Sequence, residues 1–578
     1  MDAVTKTIPV GALSATVFVR LWCVAVGAAL TALAAGCSSP QGAGGTASTS
    51  SEPGKPKVNR LVFATEVPAK EVNETRNNAT PSSWQLTPMY ETLLGVDEKN
   101  GKRVPALATE WKVGADGASY AFKLRQGVKF HTSTGAVTRD WGEFTARDLN
   151  PPFREINKRD SISGVTEMWW GAVKEIEVVS DYEAVIKLNR PDANFLDYVS
   201  DQLGGYEIWS SKAFEQLGPP TDITKPALPG TGPYMYKDRA QSQFLRFERV
   251  PFPHWKATPE FPEFEFRFIK EASTRMAALL TGEVQMTPLP QDLLVQVERQ
   301  GYKVLTGTTP AYRVNVTFRC CALKDRNDLN SGWMEPNVPL ADARVRRALS
   351  KAVNRDELNK SFFGGKGQLN LNNPLAPWRE AWKKDWETRF PVEYGYDQAA
   401  ARSILAQAGY GPEKPARVSM LLTPTPGLPT AEDVAESVAN HWRAVGIDVT
   451  LEQLDAVAES AANRAYKLTN HARINGTSSN AWVGITQMGS SVGTPTGAGP
   501  QLPATDALLK QLWTTLDDKR IEELWLRIGD ELYNQHHFVP LFWLPTEVAV
   551  DPKIVGEWVY SGSISGSWTH IWNIKAAR

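Results

Sequence analysis

Cysteines, histidine and glycine-rich turns are where chemistry would first be sought in this chain. Of four cysteines, Cys23 lies in an apolar leader and Cys37 at its end. Cys320 and Cys321 are adjacent in a strand-like run, where successive side chains point to opposite faces. The pattern predicts neither a disulfide framework nor a Cys-based metal site. His131 has no second histidine or carboxylate at ligand spacing, so a structural role is expected. In P-G-T-G-P-Y, 229–234, two glycines permit turns closed to other residues, and Pro233 stiffens the exit into a strand. No Lys-Ser/Thr follows, so this is not a phosphate loop. Neither H-E-x-x-H nor a Walker motif occurs. The paired carboxylates of a glycosidase stay open, because their spacing lies in three dimensions. Twenty tryptophans exceed the needs of core packing and offer indole faces for sugars or peptides.

At 578 residues the chain should divide into two to four domains. A net charge of −1 gives no electrostatic footprint for nucleic acid or an anionic membrane. Residues 21–35 form an apolar run behind Arg20, shorter than the roughly 20 residues of a membrane span and suited to a signal peptide. The run ends in A-A-G-C, which looks like a lipobox whose thiol, Cys37, is lipidated after cleavage. Ala34 stands three before the cysteine, where Leu is usual, and an uncleaved anchor is the alternative. The next stretch, to Lys57, is rich in Gly, Ser, Thr and Pro and reads as a flexible tether.

The elements that would position a site follow in order. Arg60–Thr65 reads as the first strand, and T-P-M-Y-E-T-L-L after Trp84 as a helix start. Tyr120, Phe122 and Leu124 alternate with Ala121, Lys123 and Arg125 after an Asp116-Gly117 turn, the period of a half-buried strand. Residues 173–188 read as a hairpin around Asp181. A helix within 268–286, with Met276, Leu279 and Leu280 inward, ends at Gly282, and another over 396–410 stops at Gly409. Between these two, Val345, Ala348, Leu349, Ala352 and Val353 recur at helical spacing after Asp342, a cap. Arg346, Arg347, Lys351 and Arg355 fall mostly on the expected solvent side, and Asn354 with Glu357 reads as a second capping box. The end of the chain, from Val539 through P-L-F-W-L-P to Trp572, is apolar and strand-like.

The D-A-R-V-R-R-A run resembles a signature of family 5 of the extracellular solute-binding proteins, the dipeptide/oligopeptide-binding proteins of ABC importers. So do P-A-L-A-T-E-W … D-G … F-K-L-R-Q-G-V-K-F-H at 105–131, with a surface insertion after it, and Y-D-Q-A-A-A-R-S-I-L-A-Q-A-G-Y at 396–410. The resemblance covers roughly 58–578. It implies an α/β, two-lobed clamshell of the periplasmic-binding-protein type II class with an extra inserted domain. The expected division is 1–36 signal peptide, 37–57 tether, 58–97, 229–308 and 539–578 lobe I, 98–228 inserted domain and 309–538 lobe II.

By the same resemblance the chain is a lipid-anchored, extracytoplasmic, monomeric binding protein. It needs no cofactor or metal, and it delivers a peptide or other small oligomeric solute to an ABC permease and its ATPase. In peptide-binding relatives a loop aspartate pairs with the ligand's ammonium. The corresponding stretch here, 474–489, holds Trp482 and no acid. An ammonium buried there would lack a counter-charge. An oligosaccharide stacked on Trp84, Trp378 and Trp482, with Asn480 as amide partner, is the alternative, and Arg319 could instead read a carboxylate. A secreted hydrolase and a non-transport surface chaperone are the readings from other classes.

Overall fold

Period-two alternation builds the frame. In the Arg60–Thr65 strand Leu61 and Phe63 join one core and Val62 and Ala64 another, so both faces of its sheet are covered. The computed structural model describes residues 56–578 except 69–70, 72–82, 136, 157–172, 193–194, 202–205, 220–222, 311, 379–380, 426–427, 479–480, 482–483, 486–489, 492–498, 516 and 563–567. The leader, Cys37 and most of the tether therefore lie outside the described residues.

The seven-stranded sheet runs Lys303–Thr306, Glu547–Val550, Met286–Thr287, Arg60–Thr65, Glu263–Phe268, Phe244–Arg249, Tyr234–Ala240. The six-stranded sheet runs Gln368–Leu369, Phe538–Leu544, Tyr312–Arg319, His471–Ser478, Arg417–Leu422, Asp448–Gln453. A four-stranded antiparallel sheet, from Ala108–Val113 to Glu183–Leu188, interrupts the first in chain order. Its Tyr120, Phe122 and Ile186 share one core with Phe63, Phe264 and Phe266 of the seven-stranded sheet. The six-stranded sheet has its own core, in which Val314 and Val316 meet Leu349, Val438 and Trp442. The chain passes between the two sheets at 307–311 and again at 545–546. Two cores joined by two crossings make a clamshell of two lobes.

The expected strands and helices are present: Arg60–Thr65, Ser119–Leu124, the Val173–Ser180/Glu183–Leu188 hairpin, Ala272–Leu280 and Gln398–Gln407. Asp342 caps Ala343–Lys351 by accepting from the Arg344 N–H at 2.8 Å, and Asn354 caps Arg355–Phe363 through the Glu357 N–H at 3.2 Å.

Four expectations are corrected. The basic residues around the first of these helices are not on a solvent face. Arg346, Lys351 and Arg355 are buried, and only Arg347 stays near water, paired with Glu393. Arg346 donates to the carbonyls of Leu340, Ala341 and Gln535, Arg355 to those of Ser350, Tyr394 and Pro540, and Lys351 to those of Val392 and Gly395. Loop ends leave carbonyls without partners, and these long side chains supply the donors.

Residues 87–94 form no helix; after a 3-10 turn at Ser83–Leu86 they run in turn and extended backbone. Their carbonyls are taken by neighbours: Pro88 by the Tyr234 N–H, Met89 by Gly232, Glu91 by Ile208 and Leu93 by Ala108. Neither Gly230 nor Gly232 has positive φ. Glycine is needed there for close approach, because a Cβ on Gly232 would lie 2.7 Å from the Pro88 oxygen. Finally, Cys320 and Cys321 are joined to each other as a disulfide. The strand ends at Arg319 and Cys321 takes φ 62°, so the alternation that would have separated the two side chains does not reach them.

His131 is buried in the role expected of it. Its Nδ1 accepts from the Gly230 N–H, so its Nε2–H donates to the Gly232 carbonyl at 2.8 Å. The insertion after it is exposed at its tip, but Trp141 and Phe144 at its end pack into the shared core.

Candidate functional site

The Tyr312–Arg319 strand has an apolar side, Val314, Val316 and Phe318, and a polar side, Arg313, Asn315, Thr317 and Arg319. Register with His471–Ser478 places Asn475 beside Asn315, Arg473 beside Thr317 and His471 beside Arg319. A polar strip two strands wide thus runs along one face of the second lobe, opposite its apolar core.

Glu459, buried on the Ala456–Arg464 helix, accepts from Arg319 at 2.8 Å and from Arg473 at 2.9 Å. Two guanidinium groups share one carboxylate. Burial first, and the neighbouring Arg473 charge with it, pushes the Arg319 pKa down, against the pull of Glu459. In the middle of the strip the Thr317 hydroxyl donates to Asn315 Oδ1 at 2.9 Å. The amides of Asn315 and Asn370 donate to Asn373 Oδ1 at 3.2 and 3.0 Å. At the other end Arg313 donates to the Pro374 carbonyl and lies 5.8 Å from the Trp543 ring, which meets Trp378 edge-on at 5.4 Å.

The strip ends beside the crossings. Tyr312, the first residue of the strand after one crossing, crosses the Gly476 backbone so closely that a Cβ there would lie 2.1 Å from its hydroxyl. Burial raises the Tyr312 pKa, Arg473 of its own lobe pulls it back, and Glu66 of the first lobe adds to the rise. Side chains of both lobes therefore act on this end of the strip.

Of the ligand contacts expected from sequence, Trp378 is half-buried at the rim beside Trp543. Arg319 sits inside the strip, paired with the Glu459 carboxylate that it shares with Arg473. The Trp84 side chain, Asn480 and Trp482 lie outside the described residues. Gly484 itself lies against the strip, where a Cβ on it would be 2.4 Å from Arg313 Nη2.

Arg313, Asn315, Arg473, Asn370, Asn373 and Trp543 were missed. The signal was present in R-V-N-V-T-F-R, 313–319, where a polar residue at every second place marks a strand with one polar buried face. A G-x-S-x-G spacing, G-S-S-V-G at 489–493, was also missed. Ser490 and Ser491 are buried and held by Asp506, through the Ser490 hydroxyl at 2.6 Å and the Ser491 N–H at 2.9 Å. Among the described residues no group of three or more His, Cys, Asp or Glu is placed to hold a metal, and no helix is long and apolar enough to cross a membrane.

Comparison with known proteins agrees with this architecture. The profile of the bacterial extracellular solute-binding proteins, family 5, matches residues 102–494. The dipeptide-binding protein of Escherichia coli K12 is 26% identical over 411 residues, 68% of this chain and 71% of that protein. Heme-binding protein A of Haemophilus influenzae is 27% identical over 405 residues, 67% and 68% of the two chains. Among solved structures, the Helicobacter pylori periplasmic binding protein DppA in complex with the peptide STSA superposes with a TM-score of 0.70 at 21% identity, covering 90% of this chain and 98% of that one. NikA of Brucella suis with Fe(III)-EDTA does so at 0.70 and 19%, covering 88% and 99%. The chain belongs to the bacterial extracellular solute-binding proteins of family 5, and as such it is a transport binding protein and not an enzyme.

Proposed function

We propose that the chain captures a small oligomeric solute, a peptide foremost, between its two lobes and delivers it to the permease of an ABC importer, held at the membrane by lipidated Cys37. The observation that carries this reading is the pair of crossings, 307–311 and 545–546, where, among the described strands, the chain passes between two separately cored lobes. A ligand that touches both lobes binds the closed form better than the open one and so selects it. The names of the relatives favour a peptide.

Trp378 and Trp543, the asparagines of the strip and the absence of acid in 474–489 favour an uncharged ligand such as an oligosaccharide as the second reading. A thermal-shift screen of both libraries separates the two. A ligand at 100 times its Kd adds about 2.7 kcal/mol of stability. Stabilisation by peptides supports the first reading, stabilisation by saccharides alone supports the second, and turnover of either class contradicts both.

A further inference from the structure

Arg190 follows the last strand of the four-stranded sheet and is exposed on the first lobe's side of the molecule. Trp513 is the last residue of the Pro503–Trp513 helix of the second lobe, half-buried against Leu508, Leu509 and Leu512. The Arg190 guanidinium carbon lies 4.4 Å from the centroid of the Trp513 ring. This contact joins the two lobes through residues that belong to neither crossing.

A second interlobe pair has a different character. Lys366 of the second lobe meets Glu547 of the first at 2.7 Å, and Gln291 of Glu547's own lobe donates to the same carboxylate. Glu547 opens the strand that directly follows the 545–546 crossing. Rotation about the crossings moves such a pair little, whereas residues away from the axis separate. Two forces act on Arg190 when the lobes meet. The indole face attracts a cation, and the C-terminus of the Pro503–Trp513 helix adds the negative end of a helix dipole.

We propose that Arg190 and Trp513 form a latch that is made only in the closed clamshell and sets the closed-to-open ratio, and through it the affinity for the transported solute. Neither residue need touch the solute. By raising the closed fraction the latch strengthens apparent binding and slows release. An exposed cation–π contact changes such a ratio about two- to fivefold.

The test is amide hydrogen exchange on the full chain, without added ligand, in wild type and in Arg190→Ala, Trp513→Leu and the double variant. Trp513→Leu keeps apolar packing on the helix and removes the ring. The latch predicts that exchange rises about two- to fivefold in peptides covering Glu66 on one lobe and Trp378 on the other, far along the chain from the changed residues. Each single variant should produce this rise, and the double variant should add nothing further. Unchanged exchange in Arg190→Ala, a rise confined to the segments around 190 and 513, or additive effects in the double variant would each overturn the latch. A Trp513→Leu chain that fails to fold leaves the exposed Arg190→Ala to decide.

Discussion

Arg346 and Arg355 show what the basic residues of the signature run do. Burial pushes both down to about 10, so each remains a cation at neutral pH. Arg346 meets backbone carbonyls from two stretches of chain and Arg355 from three. Arg355→Ala is expected to cost about 3 kcal/mol or more in urea unfolding, because it strands buried acceptors. Arg347→Ala, which removes an ion pair at the surface, should cost less than about 1 kcal/mol.

Buried histidines set the acid limit. Burial holds His131 at about 4 and His536 and His537 at about 3, the last two lowered further by the neighbouring arginines. The folded chain keeps these rings neutral while the unfolded chain protonates them below about 6.5. Their stabilising effect is therefore complete above that pH and is lost as pH falls through 6.5 towards 4 and 3. The slope is at most about 1.4 kcal/mol per pH unit for each ring. Glu91, lowered to about 2 by Lys256 and His254 against its own desolvation, adds a second loss between about 4.5 and 2. Unfolding free energies measured from pH 8 to 4 should fall below pH 6.5, and His537→Phe should make that fall shallower. An unchanged slope in that variant would show that His537 does not contribute.

At the scale of elements, the strands were legible because alternation reports burial directly. The Tyr120, Phe122, Leu124 series could be placed from the sequence alone, and Gly282 and Gly409 do end their helices with positive φ. What was not legible is where distant chain supplies the partner. Residues 87–94 have helix-like apolar spacing, yet their carbonyls are claimed by N–H groups more than a hundred residues away as well as nearby. The basic side chains of the Ala343–Lys351 helix and of Arg355 after it turned inward for the same reason, since their distant acceptors come from 392–395 and 535–540.

The P-G-T-G-P-Y segment tests this view. Gly232→Ala forces a Cβ against the Pro88 and Met89 backbone and should cost about 1–3 kcal/mol. Gly411→Ala, with nothing within 4 Å of the added carbon, should be neutral or stabilise by up to about 1 kcal/mol. Equal effects at the two positions, read by thermal unfolding, would contradict the close-approach explanation.

For the whole molecule, the two-lobed plan was readable from ordered motifs along the chain. The polar strip was not, because it forms from strands and loops that the chain brings together from 313 to 475. It presents buried arginines tied to Glu459, amides and a pair of tryptophan rings. Capture of an intact solute is the claim on which the account rests. Native mass spectrometry of the full chain purified from its own cells tests it most directly. The account predicts one intact oligomeric solute per chain, released unchanged when the protein is unfolded. A chain that carries nothing and retains none of the peptides or oligosaccharides offered to it, or one that returns them cleaved, would contradict it.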